Sequence, residues 1–137
     1  MLGHLSIGVR DLEKARPFYD ATMAQIGWEQ KWPGDPENLG YGPPGDFDKL
    51  AVFLRPNAHP PGPGFHLCFN APSEAAVDGF YAAAIANGGK DDGPPGLRPH
   101  FGDDYYAAFV YDPEGWKLEV LHKASWDSDR KGYSPDT

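Results

Sequence analysis

The chain repeats itself, and the repeat constrains its fold more than any other feature. His4-Leu5-Ser6-Ile7 returns as His66-Leu67-Cys68-Phe69, Phe18-Tyr19 as Phe80-Tyr81, and Gly27 as Gly89. Each pair is 62 residues apart (66 − 4, 80 − 18, 89 − 27). A fixed offset held over about twenty-five positions marks one supersecondary unit used twice. Both copies open on a histidine, so packing the copies together can bring two imidazoles to one place.

The periodicity inside each copy reads as strand, helix, then further strands. In the first, Leu5, Ile7 and Val9 alternate with His4, Ser6 and Gly8, the period of a strand. Asp11 is placed to cap a helix whose inner face carries Leu12, Ala15, Phe18 and Ile26, and Gly27 stops it. Pro17 removes an interior backbone bond, which predicts a late start or a kink. Residues 28–32 and 49–54 read as strands. In the second copy, 66–69 is a strand, Ser73 caps a helix over 74–87, and Gly88-Gly89 ends it. Strands follow at 105–111 and 116–121, joined by the turn Asp112-Pro113-Glu114-Gly115. Phe18, Tyr19, Phe80 and Tyr81 recur at helical positions as core aromatics. Proline and glycine concentrate at 33–45, 56–64 and 93–99, which read as connectors. The expectation is an α+β domain over 1–123, made of repeats at about 1–57 and 63–123, with 124–137 as a surface tail.

Composition excludes several functional classes. No apolar run reaches the eighteen or so residues of a membrane helix. No charged n-region and apolar h-region open the chain, so export is not expected. The single cysteine, Cys68, rules out an intrachain disulfide and suits a reducing, cytoplasmic compartment. A net charge of −8 argues against binding a phosphate backbone, so no nucleic-acid partner is expected.

One residue breaks the pattern. Lys117-Leu118-Glu119-Val120-Leu121 matches Lys49-Leu50-Ala51-Val52-Phe53 at an offset of 68 (117 − 49), and Glu119 falls where the first copy has Ala51. A carboxylate between Leu118 and Val120 in a central strand must be protonated, paired or metal-bound. His4, His66 and Glu119 are therefore candidate ligands for a divalent ion such as Zn, Ni, Mn or Fe. Three protein ligands leave positions open for water and substrate. Plainer readings stand beside these: His4 as a surface histidine, and Glu119 as the partner of a lysine or arginine. His100 is either a pocket residue or solvated, and Tyr105 and Tyr106 point to opposite faces of a strand, so at most one enters a cleft. Cys68 shares a face with His66 but reads best as a small buried thiol. His59, in a Pro-rich linker, and His122, alternating away from Glu119, read as non-ligands.

His4, Asp11 to Ala15, Phe18-Tyr19, Gly27, His66, Asp112-Pro113-Glu114-Gly115 and Leu118-Glu119 together resemble the glyoxalase/bleomycin resistance/extradiol dioxygenase superfamily, the vicinal oxygen chelate proteins. The resemblance covers about residues 1–123, and the closing turn with its following glutamate is its most specific part. The segment from Gly96 to Phe109 is similar to a bacterial branch of that superfamily. The resemblance implies two βαβββ modules forming an open, barrel-like cleft, with metal at the positions of His4, His66 and Glu119. It also implies a homodimer, in some members with modules exchanged. Glyoxalase I typically adds a fourth ligand, a glutamate, where this chain has Ala51.

Three functions follow from this reading. The first is a metal-dependent lyase or isomerase of the lactoylglutathione lyase type, acting on a small oxygen-chelating substrate, with Glu119, a metal-bound hydroxide or the substrate itself as the base. The second is an Fe(II) extradiol-type dioxygenase with His100, Tyr105 and Tyr106 as supporting groups. The third is a metal-free protein that binds a small drug-like molecule.

Overall fold

The computed structural model describes residues 2–126. The expected tail at 124–137 therefore falls mostly outside the described residues.

The chain runs β1 (Leu5–Val9), α1 (Leu12–Gln25), β2 (Glu29–Gln30), β3 (Asn38–Gly42) and β4 (Leu50–Leu54). It then runs β5 (Leu67–Asn70), α2 (Glu74–Ala86), β6 (Lys90–Leu97), β7 (Tyr105–Tyr111) and β8 (Lys117–Lys123). The α+β fold of two βαβββ modules is thus present. Two four-stranded sheets, ordered β1-β4-β3-β2 and β5-β8-β7-β6, form a cleft-like arrangement without closing into a barrel.

The duplication is visible in the strand register. β1 pairs parallel to β4 with Leu5 opposite Leu50 and Ser6 opposite Ala51. β5 pairs parallel to β8 with Leu67 opposite Leu118 and Cys68 opposite Glu119. The sequence offsets of 62 and 68 map one pairing onto the other residue for residue.

Both helix caps form as expected: Asp11 accepts from the Lys14 amide, and Ser73 accepts from the Ala76 amide. Pro17, however, neither delays nor divides α1, which runs through it from Leu12. Pro17 and Glu13, whose carbonyl loses its partner, are both exposed, so water can take the missing bond. Of the expected strand at 28–32 only Glu29–Gln30 is strand.

Two expected connectors are strands. Asn38–Gly42 lies within 33–45, and Lys90–Leu97 overlaps 93–99. Glycine hides a strand when a neighbour lies flat against the backbone. At Gly40 an added Cβ would sit 2.6 Å from the Trp32 ring, which covers the strand and stacks on Phe53 at 6.3 Å. In β6 the register slips between Gly93 and Gly96, so Pro94 and Pro95 sit in a bulge against β7.

The core is continuous across both modules, with Phe18, Tyr19 and Phe80 fully buried and Tyr81 packed at its margin. The helices pack on each other. The turn Asp112-Pro113-Glu114-Gly115 ties the modules together. Tyr19 Oη in α1 donates to Asp112 Oδ2 at 2.6 Å, while Asp112 Oδ1 accepts from the Glu114 and Trp116 amides at 2.9 Å. The Glu114 carboxylate accepts from the Arg10 and Asp11 amides at 2.8 Å. Trp116 Nε1 donates to the Gly8 carbonyl in β1 at 3.0 Å. These bonds fix the end of β1 beside the start of β8.

Burial raises the Asp112 carboxyl above its ordinary value of 3.8, against the opposing bonds from Tyr19, Trp116 and Glu114. The folded chain thus holds this proton more tightly than the unfolded chain, and the stability it contributes is fullest below 3.8 and lost as pH rises through the folded value. Denaturant titrations between about pH 4 and pH 7 should show wild type losing stability relative to Asp112→Asn; a difference moving the other way contradicts this. Gly40→Ala should cost about 1–3 kcal/mol in the same assay and displace Trp32, seen as a change in tryptophan emission. An unchanged midpoint and spectrum would show that Trp32 does not need that space.

Candidate active site

Strand alternation sorts the second sheet into two faces. Leu118 and Val120 of β8, Ala108 and Val110 of β7, and Leu67 and Phe69 of β5 are buried in the core. Glu119, Phe109, Tyr105 and Cys68 take the other face, the wall of the cleft.

Glu119 is the centre of that wall and is only 3% exposed. His66, at the entry to β5, brings Nε2 to 2.9 Å from Glu119 Oε1. Tyr105 Oη donates to Glu119 Oε2 from the neighbouring strand. No lysine or arginine forms an ion pair with Glu119 among the described residues, so its compensation comes from an imidazole and a phenol. Burial, with the Glu119 hydrogen bond second, raises the Tyr105 phenol well above its usual value, so Tyr105 stays a donor. The two contacts orient both carboxylate oxygens.

Cys68 lies opposite Glu119 and is exposed, not the small buried thiol expected. Period-two alternation puts it on the cleft face with His66. Although the residue keeps accessible surface, desolvation of the thiol by its surroundings and the Glu119 charge push it up to about 12.

The other candidates separate. Tyr106 turns away from Glu119 and donates to Asp78 Oδ1 on α2 at 2.6 Å. His100 is exposed and packs on Phe101, with ring centroids 4.1 Å apart, while Phe101 in turn lies 5.3 Å from the Tyr105 ring. His122 is buried with Nδ1 on the Ala71 carbonyl at 2.9 Å, and His59 Nδ1 meets the Pro60 carbonyl. His4 is exposed ahead of β1. Among the described residues, no three His, Cys, Asp or Glu side chains are grouped closely enough to hold an ion. The structure therefore brings His66 and Glu119 together within one chain and leaves His4 apart from them.

Three residues at or beside the Phe109 ring, which faces Glu119, escape the sequence reading. Phe109 lies directly opposite Glu119, with the His66 ring 6.3 Å from its own. Lys117 Nζ approaches the Phe109 ring at 6.0 Å, and the Arg98 guanidinium at 5.6 Å. Alternation from Glu119 and Tyr105 would place Lys117 and Phe109 on this face. Arg98 follows the bulged strand β6, and nothing in its local periodicity points to the cleft. Beside Lys117 and His66, the Pro-rich linker Pro60 to Phe65 walls a recess of about 430 Å³. That is the size of a small-molecule site.

The residues fit a divalent ion in part. A neutral imidazole and a carboxylate are suitable donors, and donor atoms sharing one ion at about 2.1 Å each lie roughly 3 Å apart. The His66–Glu119 separation of 2.9 Å satisfies this. A third donor is needed from elsewhere.

Comparison with known proteins identifies the family of the chain. Residues 1–120 match the family model described as "Glyoxalase/Bleomycin resistance protein/Dioxygenase superfamily". A crystal structure of a glyoxalase/bleomycin resistance protein from Albidiferax ferrireducens T118 is 34% identical, with a TM-score of 0.77, covering 90% of this chain and 99% of that one. A glyoxalase-related enzyme from Fulvimarina pelagi is 26% identical with a TM-score of 0.66, covering 88% of this chain and 86% of that one. Uncharacterized protein YqjT from Bacillus subtilis (strain 168) is 30% identical over 130 residues, 86% of this chain and 95% of its own length. No helix among the described residues is long and apolar enough to cross a membrane. With the duplicated register, the clamping turn and the family model all covering the same residues, the chain belongs to the glyoxalase/bleomycin resistance protein/dioxygenase superfamily.

Proposed function

We propose that this chain is a divalent-metal-dependent enzyme of the glyoxalase-like lyase or isomerase kind, acting on a small substrate with adjacent chelating oxygens. The observation that carries the reading is the His66–Glu119 pair, a buried carboxylate held by an imidazole and a phenol without a lysine or arginine ion pair among the described residues. His66 and Glu119 supply two ligands from one chain, and His4 of a second copy supplies the third. Alternation supports this: Ile7 and Val9 of β1 are buried, which puts His4, Ser6 and Gly8 on the opposite face of their sheet. A homodimer with the first sheet of one copy across from the second sheet of the other completes the set.

When bound, a divalent ion supplies Lewis acidity toward the chelating oxygens of the substrate. The protein's own groups divide the remaining work. Tyr105 donates to Oε2 and holds the Glu119 carboxylate in one orientation. Glu119 accepts a proton from the substrate carbon and returns it to the adjacent carbon, the part that falls to it because Ala51 occupies the equivalent position in the first module. The linker from Pro60 to Phe65 forms one side of the recess beside His66, where a small substrate can sit.

Elemental analysis of protein purified without chelator or metal-affinity resin tests the reading. Wild type should carry a near-stoichiometric divalent ion, and His4→Ala, His66→Ala and Glu119→Gln should each lose it while remaining folded. Tyr105→Phe should keep the ion but bind it about tenfold more weakly, because the carboxylate loses its orienting donor. Iron with substrate-dependent oxygen consumption would move the assignment to a dioxygenase. No ion in wild type, before or after reconstitution, would replace it with a metal-free binding protein.

A further inference from the structure

We propose that Arg98 is the anchor for an anionic group of the substrate, so that the cleft takes a small carboxylate-bearing molecule. This deepens the reading of the same site as an active site, but the argument for it comes from a different part of the wall.

The Arg98 side chain is built into place. Nη1 donates to the Gly96 carbonyl at 2.9 Å and Nη2 to the Pro94 carbonyl at 2.7 Å, so the guanidinium folds back along its own strand. It lies close against two residues that lack side chains. A Cβ on Gly93 would lie 3.2 Å from Nη2, and a Cβ on Gly96 would lie 3.2 Å from Nη1. The bulge between Gly93 and Gly96 aims the two carbonyls, and the Phe109 ring supports the guanidinium at 5.6 Å. A long, flexible cation is thereby held rigid on the residue that faces Glu119.

Its charge is not neutralised by an ion pair among the described residues. No carboxylate lies within ion-pair distance of Arg98 among the described residues, and its structural bonds go to neutral carbonyls. The guanidinium has five N–H donors, more than those two carbonyls take. Lys117 stands at the same ring at 6.0 Å, paired to Asp92 at 3.3 Å, and also lines the recess beside His66. An oxyanion on the guanidinium edge would thus sit beside a second cation, with the rest of the molecule over Phe109 and toward His66 and Glu119. Planar carboxylates suit the arginine fork, and burial against an aromatic ring strengthens the bond.

The test uses the full chain stripped of metal with chelator, so that it does not depend on the metal site. Benzoate is titrated against the neutral benzamide of the same shape, followed by the Arg98 Nε–H signal in ¹⁵N-edited NMR. Benzoate should bind and shift that signal, benzamide should not, and affinity should fall with added salt. Arg98→Met should weaken benzoate by about tenfold or more, and Lys117→Met by about threefold, in proportion to the donors each supplies. Lys117→Met keeps the bonds from Arg98 to the Gly96 and Pro94 carbonyls, losing only the ion pair to Asp92, and serves if Arg98→Met does not fold. Equal binding of benzoate and benzamide, or benzoate binding unaffected by either substitution, overturns the proposal, as does the absence of benzoate binding. Intact anion binding in a chain that never holds metal would overturn the enzyme reading and leave this one standing.

Discussion

The buried bond from Tyr19 to Asp112 joins the first helix to the turn before the last strand, and the site depends on that junction. Asp112 simultaneously accepts two amides of its own turn, so a single carboxylate shapes the turn and binds it to the other module. Glu114 then takes the amides at the end of β1, and Trp116 takes a carbonyl within it. The strand that begins at Lys117 and carries Glu119 is thereby set in a fixed relation to the strand that follows His4. Removing one member would leave buried polar atoms without partners, a cost of about 1–3 kcal/mol apiece.

Duplication supplies two similar cradles, and only the second places a buried carboxylate, Glu119, at its centre. The pairing of Ser6 with Ala51 in the first module is that of Cys68 with Glu119 in the second. The first cradle is instead roofed by Trp32 over Gly40 and Phe53, an aromatic wall without titratable groups at the equivalent position. In the second, the carboxylate is ringed by His66, Tyr105 and Cys68, with Arg98 and Lys117 on the ring opposite it. Such asymmetry suits a composite centre in which the first module of one copy adds a single ligand to a site otherwise built by the second module of another.

Residues whose roles follow from strong local periodicity were legible in the sequence. The helix caps at Asp11 and Ser73, the core aromatics and the contact between His66 and Glu119 all follow from repeat alignment and alternation. What alternation could not supply was strand character in glycine- and proline-rich segments. β3 needs Gly40 because Trp32 lies on it, and β6 accommodates two prolines where its register with β7 slips. Arg98 was hidden for the same reason: its place in the cleft depends on that bulge. His100 and Tyr106 were plausible by residue type alone, yet one stacks on Phe101 and the other reaches across to α2. Pro17 misled because its cost depends on whether the orphaned carbonyl is exposed.

The composite centre is tested most directly by complementation. His4→Ala and Glu119→Gln chains, carrying different tags, are co-expressed, and the mixed dimer is isolated through both tags and analysed for metal. If ligands come from two copies, the mixed dimer pairs an intact His4 with an intact His66 and Glu119 at one of its two centres. It should then hold close to one ion per dimer, while each parental dimer holds none. A mixed dimer as empty as its parents, beside a fully loaded wild type, would contradict a site shared between copies.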